Sequence, residues 1–396
     1  MTMTHTLLPW LGNISAEEFL RDYWQKKPLL VRNAFPDIAN LIDPDDLAGL
    51  SMEDGVEARI VIEKGKTPWQ LMHGPFTEKT FAKLPESHWT LLVQAVDHYL
   101  PELGDYLDYF RFIPNWRVDD IMVSYAPEGG SVGPHFDQYD VFLIQGRGQR
   151  HWQLGQHCDE STPRLPDVKL RILQDMQPWF DEVLNPGDLL YVPPGLAHYG
   201  VARNDCMTYS VGFRAPGLAQ LLERVVDNAL EARGGYKLYA DPDLQVQTNP
   251  GQLSDAALES LRHQVLAVLE DPAQFREAVL PFLTEAKYEE YEPEEVDLED
   301  GELAEVLAAG AVLRRDPASR YVYIGSDVAA ERLFINGTDA GLPAAAAELG
   351  ALLAERRRLL EDDLAPWLEQ PAIVSWLATQ IRSGYWFLEL ADDDTV

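Results

Sequence analysis

At 396 residues the chain is longer than one ordinary domain, so two or three are expected. Hydrophobic residues make up 46%, enough to build packed cores, and no run of about 18 apolar residues is present to span a membrane as a helix. The 65 acidic residues outnumber the 32 basic ones for a net charge of −33, a field that disfavours direct nucleic-acid binding, attracts basic partners and also serves solubility.

The N-terminus, Met1 to Thr6, has no basic stretch followed by an apolar one, so no secretory signal is expected. The only cysteines, Cys158 and Cys206, do not make a disulfide framework, and a reducing cytoplasm is the expected home. Ser15 followed three residues on by Glu18 predicts a helix N-terminus, with the helix running through Phe19, Leu20 and Trp24 and ending before Pro28. Leu29-Leu30-Val31 and Ala58 to Ile62 are read as strands, and Leu91 to Leu100 as a helix.

Between about residues 118 and 215 short strands alternate with Gly and Pro turns, the pattern of an antiparallel sandwich or barrel. Val118 to Tyr125, Val141 to Ile144, Leu189 to Val192 and Tyr209 to Phe213 are strands. Gly146-Arg147-Gly148 is expected to turn a hairpin whose returning strand holds Trp152 to Leu154. From about residue 217 the pattern becomes helical. Leu218, Leu221, Leu222, Val225 and Leu230 form one apolar stripe, and Leu258, Leu261, Val265, Val268 and Leu269 form another behind the cap Ser254. A third helix holds Phe275, Val279 and Phe282. An acidic run, Glu289 to Glu295, suggests a linker. Beyond it come a helix over Leu303 to Ala309, strands Arg320 to Ile324 and Arg332 to Ile335 with an Asn336-Gly337 turn, helices over Ala344 to Leu360 and Ala372 to Arg382, and a last strand over Tyr385 to Leu388. Helices with a small β-wing suggest a winged-helix-like module. Its terminal Asp392-Asp393-Asp394 points to protein contact over nucleic acid.

The chemistry lies in Gly133-Pro134-His135-Phe136-Asp137-Gln138-Tyr139-Asp140 and in His198, which follows Pro193-Pro194-Gly195. On a strand, His135 and Asp137 would project from one face, and His198 from a second strand would complete a set of two imidazoles and one carboxylate. That ligand set leaves open positions on the metal and suits iron(II), whereas zinc usually takes a further protein ligand. A single His-X-Asp triplet arises readily by chance. The long stretch Asn185-Pro186-Gly187-Asp188-Leu189-Leu190-Tyr191-Val192-Pro193-Pro194-Gly195-Leu196-Ala197-His198 gives the pattern its specificity.

These stretches, with Asp22-Tyr23-Trp24-Gln25-Lys26-Lys27-Pro28-Leu29-Leu30-Val31-Arg32 near the start, resemble the Jumonji-C oxygenases, and among them the bacterial ribosomal oxygenases that hydroxylate an arginine of a large-subunit ribosomal protein. The resemblance covers essentially the whole chain. It implies an α+β fold: a Jumonji-C, cupin-type double-stranded β-helix with an N-terminal α/β extension over residues 1–215, a helical dimerisation segment over 216–288 and a winged-helix-like domain over 289–396. It implies Fe(II) on His135, Asp137 and His198, and 2-oxoglutarate as cosubstrate with O2. Arg150 would grip the distal carboxylate of 2-oxoglutarate, and Ser124 would contact the same molecule. A guanidinium fork suits a carboxylate, and Arg147 is the local competitor for that role. The partners implied are a basic ribosomal protein and a second copy of the chain. Two alternatives stay open: the same chemistry on a histidine, and a non-enzymatic acidic protein that binds a basic client. If Ser124 faces inward, strand parity turns Met122 and Asp120 inward too, where Asp120 could meet a cationic side chain. Tyr125, Tyr139 and Asp140 are further candidates for the pocket wall. His73, His151 and His157 are read as structural or surface histidines, and Cys206 as a packed strand residue.

Overall fold

Two sheets of unequal size enclose the site, both built from antiparallel strands. The computed structural model describes residues 6–38, 41–63, 69–232, 238–288, 298 and 301–389, and the contacts divide the chain into a unit ending at Ala215 and a second beginning at Pro216.

The first unit contains β1 (Leu7–Leu8), β2 (Ile14–Ser15), β3 (Leu29–Val31), β4 (Ala58–Ile62), β5 (Gln70–His73), β6 (Trp89–Val93), β7 (Val118–Ala126), β8 (Val141–Gln145), β9 (Arg150–His157), β10 (Phe180–Leu184), β11 (Leu189–Val192), β12 (Leu196–Ala202) and β13 (Cys206–Phe213). Short helices α1 (Ala16–Asp22), α2 (Pro44–Leu50), α3 (Glu78–Phe81) and α4 (Pro101–Gly104) lie among them. The larger sheet has the order β3-β11-β8-β13-β7-β6-β4-β5 and the smaller the order β10-β9-β12. All their pairings are antiparallel, as the turn-rich pattern predicts.

One face of the larger sheet packs on an aromatic cluster: Trp10, Phe19, Phe110, Phe142, Tyr191 and Phe213 are buried together, with Phe110 and Phe142 ring centroids 4.8 Å apart. The other face, opposite the smaller sheet, carries Val141, Leu143, Leu190 and Val192 against Trp152 and Leu154. The strands therefore sort their side chains between two environments, which is why β8 and β11 are buried along their whole lengths.

Several local expectations need correction. Leu91 to Leu100 is not a helix. Trp89 to Val93 is strand β6, wedged between β4 and β7, and a short 3-10 turn (Val96–His98) follows it. The pairing that both neighbours offer overrides any local helical preference. Gly146-Arg147-Gly148 does turn the chain, but the strands it joins belong to different sheets, so it is a crossing and not a hairpin. Ser15 caps α1 by accepting from the Glu18 backbone N–H at 3.1 Å, yet the helix stops at Asp22 and Trp24 lies in the turn after it.

The second unit contains α5 (Leu218–Ala232), α6 (Asp255–Leu269), α7 (Pro272–Thr284), α8 (Glu302–Ala308), β14 (Val312–Arg315), β15 (Tyr321–Ser326), β16 (Ala329–Ile335), β17 (Thr338–Asp339), α9 (Ala347–Glu355), β18 (Arg358–Leu359), α10 (Glu361–Leu368), α11 (Pro371–Arg382) and β19 (Trp386–Glu389). Its sheets have the orders β18-β14-β19 and β15-β16-β17. Asn336 and Gly337 turn β16 into β17 with φ of 44° and 85°, the positive values that an Asn-Gly hairpin provides. The helix expected over Ala344 to Leu360 is shorter: α9 ends at Glu355 and β18 follows. Helix α7 is joined to the wing, with Arg332 of β16 paired to Glu277 and the Gly337 N–H donating to the Thr284 hydroxyl at 3.1 Å. The acidic stretches Glu289 to Glu295 and Asp392 to Asp394 lie outside the described residues.

Candidate metal centre and cosubstrate pocket

The pattern His135-X-Asp137 was expected on a strand; it stands instead in the loop between β7 and β8. The loop is nonetheless held like one. His135 and His198 form an isolated antiparallel bridge, with His135 N–H donating to the His198 carbonyl at 3.0 Å and the return bond at 2.8 Å. The Gly195 N–H donates to the Asp137 carbonyl at 2.7 Å, so the Pro-Pro-Gly turn clamps the carboxylate-bearing residue directly. Gly195 has φ +74°, a conformation glycine takes without strain. Gly133 has φ +82°, and a Cβ there would lie 3.0 Å from Ile172. Rigid turns thus set both arms of the site.

His135, Asp137 and His198 each offer a ligand atom, and these atoms lie within 4.8 Å of one another. The imidazole centroids are 4.2 Å apart, and His198 Nε2 is 3.5 Å from an Asp137 carboxylate oxygen. Each histidine holds its Nδ1 against a backbone carbonyl, that of Gly133 at 2.9 Å for His135 and that of Leu196 at 3.0 Å for His198. A carbonyl only accepts, so Nδ1 carries the proton in both rings and each Nε2 lone pair is left for an ion. Burial, and then the neighbouring His135, push the His198 imidazole down to about 4, against an opposing effect of Asp137. The neutral, ligating form is therefore the resting one.

The three residues open into a cavity that is also lined by Ser124, Met122, Asp120, Tyr139, Arg150 and Trp152. Arg150 is only 4% exposed, and its Nε and one Nη have no hydrogen-bond partner. A buried guanidinium with unmet donors is costly and calls for an anion in the space it faces. Arg147, the competitor, is on the surface 3.9 Å from Asp43. Ser124 is buried, with its hydroxyl donating to the Thr208 carbonyl at a long 3.5 Å. Two imidazoles, one carboxylate and a nearby buried cation therefore fit a divalent metal and a dicarboxylate together.

Strand parity holds for Asp120, Met122 and Ser124, all of which line the cavity. Asp120 accepts from Gln94 Nε2 at 3.1 and 2.9 Å. Asp137 and burial push the Tyr139 phenol up, so the cavity wall carries a neutral hydroxyl beside carboxylates. Asp140 and Tyr125 do not line the cavity. Asp140 points the other way, fully buried, where it accepts from Tyr191 Oη at 2.6 Å and Gln25 Nε2 at 2.9 Å and pairs with Arg117 at 3.3 Å. Burial pushes its carboxyl up in spite of these partners. Tyr125 packs on Trp89, with centroids 5.6 Å apart. His151 is bonded to Asp181, His73 is exposed and Cys206 is buried in its strand. Sequence reasoning missed Thr90, Gln94, Thr208 and Ser210, which also line the cavity. Once β6 is recognised as a strand, the spacing Thr90-X-Leu92-X-Gln94 would have revealed two of them.

Comparison with known proteins identifies the family. A JmjC domain matches residues 105–221, and a ROXA-like winged helix matches residues 267–387. The chain is similar to the ribosomal protein uL16 3-hydroxylase of Escherichia coli K12, with 38% identity covering 94% of this chain and 97% of that one. It is 39% identical to a probable ribosomal oxygenase of Haemophilus influenzae, covering 82% of each chain. The solved structure of the E. coli ribosomal oxygenase YcfD in complex with cobalt and 2-oxoglutarate superposes with a TM-score of 0.83 at 35% identity, covering 94% of this chain and 98% of that one. The fold is thus the expected cupin-type barrel with a winged-helix end, and the chain belongs to the JmjC ribosomal oxygenases, which use iron(II) and 2-oxoglutarate.

Proposed function

We propose that this protein hydroxylates an arginine side chain of ribosomal protein uL16, with His135, Asp137 and His198 as the metal ligands and Arg150 and Ser124 as the residues that hold 2-oxoglutarate. The observation that carries this is the meeting, in one cavity, of three convergent ligand atoms with a buried and incompletely bonded guanidinium. Iron(II) with 2-oxoglutarate and dioxygen supplies the oxidising power for hydroxylation of a C–H bond. The chain supplies position and charge. The backbone carbonyls of Gly133 and Leu196 hold both imidazoles in the ligating tautomer. Arg150 offers a fork to a carboxylate, and Trp152 and Leu143 keep the compartment apolar around it. Asp119 and Asp120 line the same cavity and offer negative charge to a guanidinium.

The acidic surface favours a strongly basic protein client and disfavours direct nucleic-acid binding. We also infer a homodimer through the helical segment 216–288, followed by a winged-helix-like domain over 289–396. Leu218, Leu222 and Leu230 of α5 are 80%, 52% and 50% exposed, while Val225 and Ala229, which border the same stripe, are buried. No helix among the described residues is long and apolar enough to cross a membrane, and both cysteines are free. These features support a cytoplasmic location beside the ribosome.

The test is a reaction with Fe(II), 2-oxoglutarate and a uL16 peptide, followed by mass spectrometry. One added oxygen on an arginine together with succinate release is the expected result. Oxygen on a histidine would replace the arginine reading, and absence of turnover would leave only an acidic binding protein.

A further inference from the structure

The cavity contains another buried polar group with no hydrogen-bond partner. Thr90, on β6, is fully buried, lines the cavity, and has no partner for its Oγ1. A hydroxyl withdrawn from water without a partner is costly, and folded proteins keep few of them. Ser124 and Thr208, by contrast, both have partners, the Thr208 carbonyl and Gln145 respectively.

The sheet registers locate Thr90. On β6 and β7, Leu92 stands opposite Ser124 and Leu91 opposite Tyr125, so Thr90 comes level with Ala126. Ala126 packs with Ala202 and Cys206, and Ala202 is the direct strand partner of Arg150. Thr90 from the larger sheet and Arg150 from the smaller one therefore approach the same end of the barrel. Each brings a buried polar atom with nothing to bind. Unmet donors from two opposed walls match a ligand group with several acceptor sites in one plane, which describes a carboxylate.

We infer that the Thr90 hydroxyl is a further contact for 2-oxoglutarate, donating to the distal carboxylate beside Arg150. This rests on the assignment of Arg150 as the cosubstrate residue. It adds a residue on β6, a strand that the ligand motifs do not reach.

The experiment titrates 2-oxoglutarate into the zinc-loaded full-length protein by calorimetry, with no turnover needed, and measures thermal unfolding without 2-oxoglutarate. Thr90→Val keeps the shape and removes the hydroxyl. Its affinity for 2-oxoglutarate should fall roughly 10- to 100-fold, the effect of one hydrogen bond to an ionised group. Its unfolding midpoint should equal or exceed that of the wild type, because an unmet hydroxyl has been removed. Thr90→Ser should bind close to wild type. Unchanged affinity in Thr90→Val overturns the inference, and so does a lowered midpoint with a binding loss that Thr90→Ser shares. Arg150→Leu separates the two levels. If it loses binding while Thr90→Val keeps it, only the Thr90 assignment fails; if it binds like wild type, the Arg150 assignment fails and takes this inference with it.

Discussion

The barrel interior and the outer face of helix α5 depart from ordinary packing in opposite directions. Inside the barrel, Arg150 and Thr90 are polar groups buried with unmet hydrogen-bonding atoms. On α5, Leu218, Leu222, Val226 and Leu230 follow one another at i, i+4, i+8 and i+12 and stay exposed, although Val225 and Ala229 already give that helix a buried side. A polar atom inside without a partner implies a ligand that supplies one. An apolar stripe outside, on a helix that has already satisfied its own core, implies a macromolecular surface. The two signals lead to different experiments, since one concerns small-molecule affinity and the other concerns assembly.

The largest effect tests the barrel. His135→Ala should reduce succinate release and peptide hydroxylation to background. Because the backbone bridge from residue 135 to His198 does not need the imidazole, circular dichroism and thermal unfolding should match the metal-free wild type. Retained turnover would remove His135 from the ligand set. Next comes Arg150→Leu. Truncating one partner of a buried charge pair costs about 2–5 kcal/mol of binding, so the KM for 2-oxoglutarate should rise by a factor of at least about 30. The ligand-free protein should be no less stable than wild type, since a buried cation with unmet donors has been replaced by a shorter apolar side chain. A stability loss without a KM change would turn Arg150 into a structural residue and reduce the contrast with α5 to ordinary packing.

The way these regions read from sequence differs for a physical reason. The convergence of His135, Asp137 and His198 was legible because ligand residue types are fixed by chemistry and because His198 follows a Pro-Pro-Gly turn whose geometry is local. Its setting was not: the bridge that pins His135 to His198 pairs residues 63 positions apart, and nothing near residue 135 announces it. Strand β6 was misread for the same reason, since Trp89 to Val93 becomes a strand through partners about 27 to 35 residues away on either side. That error hid Gln94, and Thr90, just before the expected helix, went unassigned. Asp140 was a candidate for the pocket wall, yet its carboxylate points away from the cavity, to Tyr191, Gln25 and Arg117. The apolar residues of α5 were legible as a stripe, but which side of it the core would cover depended on α7.

A smaller effect tests the outer face. Leu222→Glu places a charge at a position 52% exposed in the single chain. Surface substitutions of this kind usually change stability by no more than about 0.5 kcal/mol. If α5 forms the dimer contact, sedimentation should show the mutant shifting to monomer while its unfolding midpoint in the monomeric range stays near that of wild type. Sedimentation identical to a dimeric wild type would place the contact elsewhere, and the exposed stripe would then need another partner.

The smallest effect concerns Asp140, which belongs to neither class: it is buried and hydrogen-bonded to Tyr191, Gln25 and Arg117. Burial raises its carboxyl above the ordinary 3.8, although Gln25, Tyr191 and Arg117 all oppose that shift. A folded pKa above the unfolded one contributes stability that is complete below the unfolded value and is lost as pH rises through the folded value. Asp140→Asn cannot titrate, so the stability difference between wild type and this variant isolates the carboxyl. Denaturant unfolding of both proteins from about pH 3 to pH 8 should show the wild-type advantage shrinking as pH rises above the unfolded value and then levelling, at about 1.4 kcal/mol for each unit by which the pKa is raised. An advantage that grows with pH would mean that the Arg117 ion pair and the Tyr191 hydrogen bond outweigh desolvation. Asp140 would then be a charged anchor joining the Gln25 turn to the loop that carries Asp137, not a burial cost offset by hydrogen bonds.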